Sequence, residues 1–136
     1  MLKVLKFGGS SMADAKQFEK VKSIVQADPA RRVVIVSAAG KRFSDDHKLT
    51  DLLYLCYAHL KYGVSCDTVF DMIRSRYMEI RDDLGLKTDL ETEFAALRKK
   101  MDAGISQDEP GRIFRGKAHG GLLGLRLPGQ RAVAEV

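Results

Sequence analysis

The hydrophobic and polar positions of the N-terminal third predict a strand, a helix and a second strand. A short apolar run at residues 3–7, K-V-L-K-F, suits a buried strand. Residues 12–27 predict a helix, because apolar side chains recur there at the spacing of one buried stripe, at Phe18, Val21, Ile24 and Val25. Four consecutive β-branched residues at 33–36 predict a strand buried on both faces, as in a parallel sheet. This order forms a βαβ unit with a right-handed crossover.

Three more helices follow from the same kind of pattern. The first covers residues 49–62 and ends at Gly63, and the second carries apolar positions from Val69 to Leu84 and ends at Gly85. Thr88 and Glu91 form a T-x-x-E capping box that predicts the start of the third helix, and Gly104 closes it. The aromatic and methionine side chains of these helices lie at core spacing and need no cofactor.

The net charge of +5 is concentrated in the C-terminal tail. Residues 1–110 contain 18 Lys+Arg and 17 Asp+Glu, whereas residues 111–134 contain basic residues, no acid and half of the 12 glycines. We therefore expect a folded unit at 1–110 and an atypical, poorly ordered basic tail at 111–136. A nucleic-acid-binding face would have to be built from that tail, so we expect no nucleic-acid partner.

Composition excludes several other classes of protein. No apolar run approaches the ~20 residues of a membrane span, and the N-terminus lacks the layout of a secretory signal. We therefore expect a cytoplasmic protein with no membrane partner. Cys56 and Cys66 lack metal-ligand spacing and neighbouring ligands, which predicts reduced, structural thiols and no metal site.

The residues after the first strand suggest an anion-binding loop. Lys6 is followed by the pair Gly8 and Gly9, and paired glycines let backbone N–H groups approach an anion with no side chain intervening. The N-terminus of the predicted helix would favour the same anion by roughly 0.3–1 kcal/mol. A tight strand-to-helix turn explains the glycines equally well without a ligand, so this pattern alone leaves both interpretations open.

A second loop of small residues follows the second strand. It has the sequence S-A-A-G-K-R at residues 37–42. Ligands gather at the carboxyl ends of parallel strands, so we expect this loop to open onto the same crevice as the first. On its own, Ser37 is explained as a substrate contact or as a turn hydroxyl that bonds its own backbone.

Three motifs taken together resemble the start of the aspartokinases, members of the amino acid kinase superfamily. They are K-F-G-G-S-S at 6–11, V-I-V-S-A-A-G-K-R at 34–42 and L-T-D-L-L at 49–53. The resemblance covers about residues 2–109. It implies an α/β fold, a partial α/β/α sandwich of the amino acid kinase type with a mainly parallel sheet, followed by a helical region.

The resemblance also implies an activity, which is transfer of the γ-phosphoryl group of ATP to the β-carboxylate of L-aspartate. This is the first step toward lysine, threonine and methionine, with Mg²⁺ accompanying the nucleotide. By the family pattern, Lys6 is the catalytic residue that stabilises the transferring phosphoryl group. Gly8, Gly9 and Ser10 would contact the phosphates through backbone and hydroxyl groups, together with Lys6. Such chemistry needs mainly positioning and neutralisation of charge.

For the second substrate, the resemblance implies that Ser37 and Thr50 contact aspartate. One family motif is altered: aspartokinases carry S-R-G-E after the helical region, whereas residues 114–117 read F-R-G-K. A cation at that place would repel the ammonium group of the substrate. Other kinases of the superfamily, which act on carbamate, acetylglutamate or uridylate, share the fold, but S-A-x-G with L-T-D-L-L favours aspartate.

The tail leads to a hypothesis about the whole chain. One permitted set of codons for residues 117–129, shifted by one base, encodes an amphipathic sequence of the family kind. We therefore interpret the tail as an out-of-frame reading, and the chain as a truncated aspartokinase that is weakly active or inactive. The alternative is a non-catalytic binding module derived from an amino acid kinase. Either form could assemble with itself or with another aspartokinase chain.

Overall fold

The computed structural model describes residues 1–103 and 131–132, and within them the elements follow the predicted order. The strands are β1 (Lys3–Phe7), β2 (Arg31–Val36) and β3 (Arg131–Ala132), and the α-helices are α1 (Ala15–Gln26), α2 (Leu49–Lys61), α3 (Asp67–Asp83) and α4 (Leu90–Asp102). A single 3-10 turn, Gly9–Met12, lies between β1 and α1. We call residues 8–14 the first loop and residues 37–48 the second loop.

β2 is the middle strand of a parallel sheet with the order β1-β2-β3. Its register places Val36 opposite Phe7 of β1, and it places Val34 opposite Ala132 of β3. The predicted βαβ unit is thus confirmed, with α1 as the connection. Because Phe7 and Val36 end their strands side by side, the first and second loops leave the sheet at the same edge.

The strands are less buried than their apolar sequences predict. Val36 is the buried residue of β2, and the other apolar residues of that strand are half-buried. In β1, Val4 is 59% exposed. The prediction that β2 is buried on both faces is therefore wrong for the described part of the chain. An apolar run reflects everything that covers a strand, and the described helices cover mainly the loop end, where Val36 and Ala39 join the core.

α1 begins later than predicted, at Ala15 and not at Met12. Asp14 is the N-cap, because its carboxylate accepts the backbone N–H of Gln17 at 2.9 Å and satisfies one of the free donors of the first turn. The 3-10 turn separates this cap from the glycine pair. The predicted start of the helix at Met12 is therefore wrong by three residues.

The core lies between the later helices and the loop edge of the sheet. The predicted apolar stripes of α3 and α4 are buried, at Val69, Ile73, Tyr77, Ile80, Leu90, Phe94, Leu97 and Met101. The Phe94 ring packs edge-on against Phe70, with 6.0 Å between centroids. Gly63 and Gly85 follow α2 and α3 with φ of 70° and 66°, which confirms their predicted roles as left-handed C-terminal caps.

The start of α4 corrects the capping-box prediction. The N-cap is Asp89 and not Thr88: the Asp89 carboxylate accepts the backbone N–H of Thr92 at 3.1 Å and its hydroxyl at 2.6 Å. Aspartate is a strong N-cap residue, and here it takes the position one residue later than the threonine. The Thr88 carbonyl instead accepts the N–H of Leu90.

Some predictions concern residues outside the described part of the chain. They are the helix end at Gly104 and the character of the tail at 111–136, except that Arg131–Ala132 forms the short strand β3, which the sequence did not predict. Among the described residues, no helix combines the length and apolar character needed to cross a membrane.

Candidate active site

Backbone contacts join the two loops at the carboxyl edge of the sheet. The Ser37 N–H donates to the Phe7 carbonyl at 3.1 Å, which continues the sheet pairing by one residue. Further out, the Gly40 N–H donates to the Gly9 carbonyl at 2.8 Å. The predicted meeting of these two loops is therefore observed.

The contact leaves no room for a side chain at Gly40 and little room for one at Gly9. A Cβ at Gly9 would lie 3.0 Å from the Ala38 carbonyl oxygen, and a Cβ at Gly40 would lie 2.7 Å from the Gly9 carbonyl carbon. Both neighbours are backbone atoms that cannot rotate away. Gly8 differs, since a Cβ there would meet nothing within 4 Å, and its φ of −75° suits any residue. Packing within the described residues thus explains Gly9 and Gly40 but not Gly8.

The N-terminus of α2 lies against the second loop. The Leu49 N–H donates to the Ala39 carbonyl at 3.1 Å, and Leu49 itself is buried. Thr50, the next residue, is half-buried in the first turn of α2. The structure therefore places Thr50 beside the loop that begins at Ser37, which is also half-buried. Both predicted aspartate contacts belong to this one region.

Lys6 lies on the open face of the sheet. Successive strand residues point to opposite faces, and in β1 Leu5 and Phe7 are half-buried whereas Val4 and Lys6 are exposed. Lys6 is paired with Ile35 in the neighbouring strand. Its ammonium group is thus free of the core and belongs to the strand that leads directly into the first loop. Ser10, within that loop, is exposed as well.

Sequence reasoning missed Arg76, a buried arginine on α3 that touches both loops. Its Nη2 donates to the carbonyls of Ala13 at 2.9 Å and Gly40 at 2.8 Å, and its Nη1 donates to the His47 carbonyl at 2.8 Å. Its residue exposure is 5%. A signal for it existed, because position 76 falls on the apolar stripe of α3, where Ile73 and Ile80 are its neighbours, and a charge on such a stripe needs buried partners.

A second missed residue, Asp46, holds the second loop in shape. Its carboxylate accepts from the Arg42 backbone N–H at 2.9 Å and from Arg42 Nε at 2.7 Å, and it lies 3.8 Å from Arg76. The Arg42 guanidinium, as the main cause, holds the pKa of this buried carboxyl far below its usual range. Burial lowers the pKa of Arg76, and the negative charge of Asp46 opposes that effect.

Tyr77 packs against the same loop from the core. Burial raises the pKa of its phenol, and a hydrogen bond from the Ala39 backbone to the phenolic oxygen opposes the rise. Since this side chain is 4% exposed, its hydroxyl does not face the open side of the site. The hydrogen bond between Tyr77 and the Ala39 backbone is a further contact between α3 and the second loop.

The described residues offer anion-binding groups but no protein metal centre. Lysine, glycine amides and hydroxyls suit phosphate oxygens. Within residues 1–103 no group of three or more His, Cys, Asp or Glu side chains is placed to hold a metal ion.

Comparisons with known proteins agree on one family. The model of the Amino acid kinase family matches residues 1–101. Aspartokinase 3 of Bacillus subtilis (strain 168) is 44% identical over 85 residues, which make up 62% of this chain and 19% of that protein.

Solved structures give the same result. The aspartate kinase of Clostridium acetobutylicum superposes with a TM-score of 0.82 and 43% identity, over 88% of this chain and 28% of that chain. The E. coli aspartokinase III in complex with aspartate and ADP superposes with a TM-score of 0.66 and 23% identity, over 93% of this chain and 29% of that chain, which shows likeness of fold. The chain thus spans less than a third of the length of these relatives.

Proposed function

Because the chain belongs to the amino acid kinase family, we propose that it carries the phosphate-binding and aspartate-binding loops of an aspartate kinase. The reaction is transfer of the γ-phosphoryl group of ATP to the β-carboxylate of L-aspartate, the first step toward lysine, threonine and methionine. The relatives named aspartokinase or aspartate kinase support this choice over other kinases of the family. One relative of the same fold was solved with aspartate and ADP, the corresponding substrate and product nucleotide.

The observation that carries the proposal is the contact of the two loops through Gly9 and Gly40, with Gly8 left open beside it. The hydrogen bond of 2.8 Å between Gly40 and Gly9 brings the first loop and the second loop to one edge of the sheet. A substrate bound to each loop would then meet its partner at that edge. Gly8 has no packing role in the described residues, so close approach of a phosphate explains its lack of a side chain.

In this proposal the first loop binds the phosphates. The backbone N–H groups of Gly8 and Gly9 and the hydroxyl of Ser10 donate hydrogen bonds to phosphate oxygens. Lys6 stabilises the charge that spreads over the equatorial oxygens of the transferring group, which is the main requirement of phosphoryl transfer. Mg²⁺ would arrive with the nucleotide, since this ion is commonly held by substrate phosphates.

The second loop and α2 bind the acceptor. Ser37 and Thr50 are each half-buried, and each offers a hydroxyl that can donate to a carboxylate of aspartate. The region between them is tied to the first loop through Gly40, so the acceptor carboxylate would face the phosphates. We infer in-line attack of a β-carboxylate oxygen on the γ-phosphorus, with ADP as the leaving group.

The chain matches one part of the length of its relatives. It spans 28% of the chain of the Clostridium aspartate kinase, and the proposed site uses residues of one part only. We propose that the residues from 1 to 110 form the N-terminal part of a kinase domain and that the isolated protein of 136 residues has little or no turnover. The comparisons do not favour the alternative of a non-catalytic module, and no contact in the described residues supports it.

Nucleotide binding tests the proposal without relying on turnover. In a titration of the 136-residue protein with MgADP, followed by backbone amide NMR, we expect shifts at Gly8, Gly9 and Ser10. Lys6→Met should weaken the affinity about tenfold, equivalent to about 1.4 kcal/mol, because it removes a charge-assisted contact. Lys22→Met is the matched control, since Lys22 is an exposed lysine on α1 outside the site and the charge change is the same.

Two results would count against the function. If saturating MgADP shifts no amide of the first loop, the phosphate-binding role is wrong. If Lys6→Met and Lys22→Met have equal affinities, Lys6 has no part in it. A hydroxylamine trap for aspartyl phosphate, run with ATP and aspartate, measures turnover separately, and a strong Lys6-dependent signal would contradict the proposal of little or no turnover.

A further inference from the structure

The Arg76 side chain bonds to both loops of the proposed site. Its guanidinium donates to Ala13 at the end of the first loop, and to Gly40 and His47 of the second loop, at 2.8–2.9 Å. These carbonyls come from three separate places in the chain, 63, 36 and 29 residues away from Arg76. A single planar group therefore sets distances between segments that the sequence leaves far apart.

The chemistry of the contact requires arginine. The guanidinium presents several N–H donors in a rigid planar fork, which can serve three carbonyls at once, whereas the ammonium group of lysine is a compact point donor. Arg76 is 5% exposed, and its Nε has no hydrogen-bond partner among the described residues. A buried charge with an unsatisfied donor is unfavourable unless its remaining contacts are strong. Hydrophobic packing alone gives no reason for an arginine at this position.

The location of these carbonyls gives the contact a functional consequence. The Gly40 carbonyl accepts from Arg76, while the Gly40 N–H donates to Gly9 beside the proposed phosphate site. Ala13 lies immediately after the 3-10 turn that contains Ser10. Arg76 thus holds the second loop through Gly40 and the first loop from its far end. A shift in this guanidinium would change the separation of the two substrates.

We propose that Arg76 is a positioning residue for phosphoryl transfer, acting by holding Ala13, Gly40 and His47 on one guanidinium so that the two loops keep a fixed separation. It touches neither substrate. The inference rests on the proposed function for its catalytic meaning, but the mechanical part, that Arg76 holds the loops together, stands on the structure of the chain itself. Rate and affinity in such a site depend on small displacements, since misplacement by about 1 Å can cost about 100-fold.

The experiment compares Arg76→Lys and Arg76→Met with the wild-type protein. Amide hydrogen exchange is followed at Gly40, whose N–H bonds the other loop, and at Ser37, whose N–H belongs to the sheet. In both variants we expect Gly40 to exchange about tenfold or more faster while Ser37 changes little, because the loops open locally. The affinity for MgADP, measured where each variant is fully folded, should fall about tenfold for Arg76→Met and less for Arg76→Lys, which keeps the charge.

Ile80→Val is the control for a merely structural effect. Ile80 is buried one turn further along α3, and its side chain carries no hydrogen-bonding group, so its variant lowers the stability of the same helix without removing a hydrogen bond of the guanidinium. We expect its exchange rates to rise together at all protected amides, and its affinity for MgADP in the folded state to stay at the wild-type value. If Arg76→Met does not fold, Arg76→Lys is compared with the wild-type protein and with Ile80→Val in the same measurements.

The outcomes separate the two proposals. If the exchange rate of the Gly40 amide rises only by the same factor as that of the core amides, the positioning role of Arg76 is overturned. It is also overturned if Gly40 exchange rises selectively while the affinity for MgADP is unchanged. If Gly40 exchange rises selectively but the wild-type protein itself binds no MgADP, the holding role of Arg76 stands and the proposed function fails. A selective rise with a loss of affinity supports both.

Discussion

Replacing Gly40 by alanine should force the two loops of the proposed site apart. A Cβ at Gly40 would lie 2.7 Å from the Gly9 carbonyl carbon and 2.8 Å from the Ser10 nitrogen, closer than real Cβ atoms come. Overpacking of this kind costs about 1–3 kcal/mol. Loss of the hydrogen bond between Gly40 and Gly9 adds about 0.5–1.5 kcal/mol. We therefore expect Gly40→Ala to lower the free energy of unfolding by about 1.5–4.5 kcal/mol.

Gly8→Ala is the matched control for this change. Gly8 has φ −75° and ψ 177°, and a Cβ there meets nothing within 4 Å, so alanine fits and restricts the unfolded chain. We expect it to raise stability by about 0–1 kcal/mol. Urea unfolding followed by circular dichroism measures both, and thermal scans should show Gly40→Ala lower by roughly 10–25 °C.

Equal stabilities of the two glycine variants would refute this reasoning. So would a Gly40→Ala protein within about 0.5 kcal/mol of the wild type, since that is the range of an ordinary surface change. A further comparison uses MgADP. Gly8→Ala should weaken binding although it does not destabilise the fold, and if binding is unaffected then Gly8 has no part in holding phosphate.

Two other predictions concern buried ionisable groups. The Arg42 guanidinium lowers the pKa of the Asp46 carboxyl in the folded protein. The ionised carboxylate therefore stabilises the folded protein fully at pH values above its pKa in the unfolded chain, about 3.9, and this stabilisation is lost as the pH falls from there toward the folded-state pKa. Asp46→Asn should therefore lower the free energy of unfolding by about 1–3 kcal/mol at pH 7. In urea unfolding, the variant should lose less of its free energy of unfolding between pH 7 and pH 3 than the wild type does. An identical loss in the two proteins would contradict this prediction. Burial raises the pKa of the Cys56 thiol to about 12, with the neighbouring Cys66 thiol adding to the rise. Alkylation of Cys56 by iodoacetamide at pH 8 should therefore be about 10³-fold slower than for an ordinary thiol. Mass spectrometry follows the labelling, with the urea-unfolded protein as the reference. Rapid labelling of Cys56 in the native protein would refute this prediction.

Local signals in the sequence were sufficient for most of the secondary structure. The βαβ order, the three later helices and the caps at Gly63 and Gly85 follow from periodicity and glycine placement, and the structure confirms them. Errors arose where two local signals competed. At the start of α4, Thr88 and Asp89 are both good N-cap residues, and the periodicity of the helix does not choose between adjacent positions.

The prediction that the strands are buried failed for a different reason. A run of β-branched residues shows that a strand suits a covered environment, but it does not show which part of the chain supplies the cover. Val4 is exposed and β2 is only half-buried along most of its length. The apolar pattern is a property of the residues, whereas burial is a property of all the elements packed around them.

For the candidate site, the sequence by itself pointed to the residues that we propose bear the chemistry. Lys6 with its glycines, Ser37 and Thr50 stand in motifs that predict what they would bind, and parallel strands place such motifs at one edge of the sheet. Only the tertiary structure decided how the two loops are held there. It showed that Gly9 and Gly40 touch through their backbones, and that Arg76 bonds to carbonyls in both loops. Backbone carbonyls are present at every residue and leave no trace in a sequence, so the partners of a buried guanidinium emerge only when the chain has folded around it.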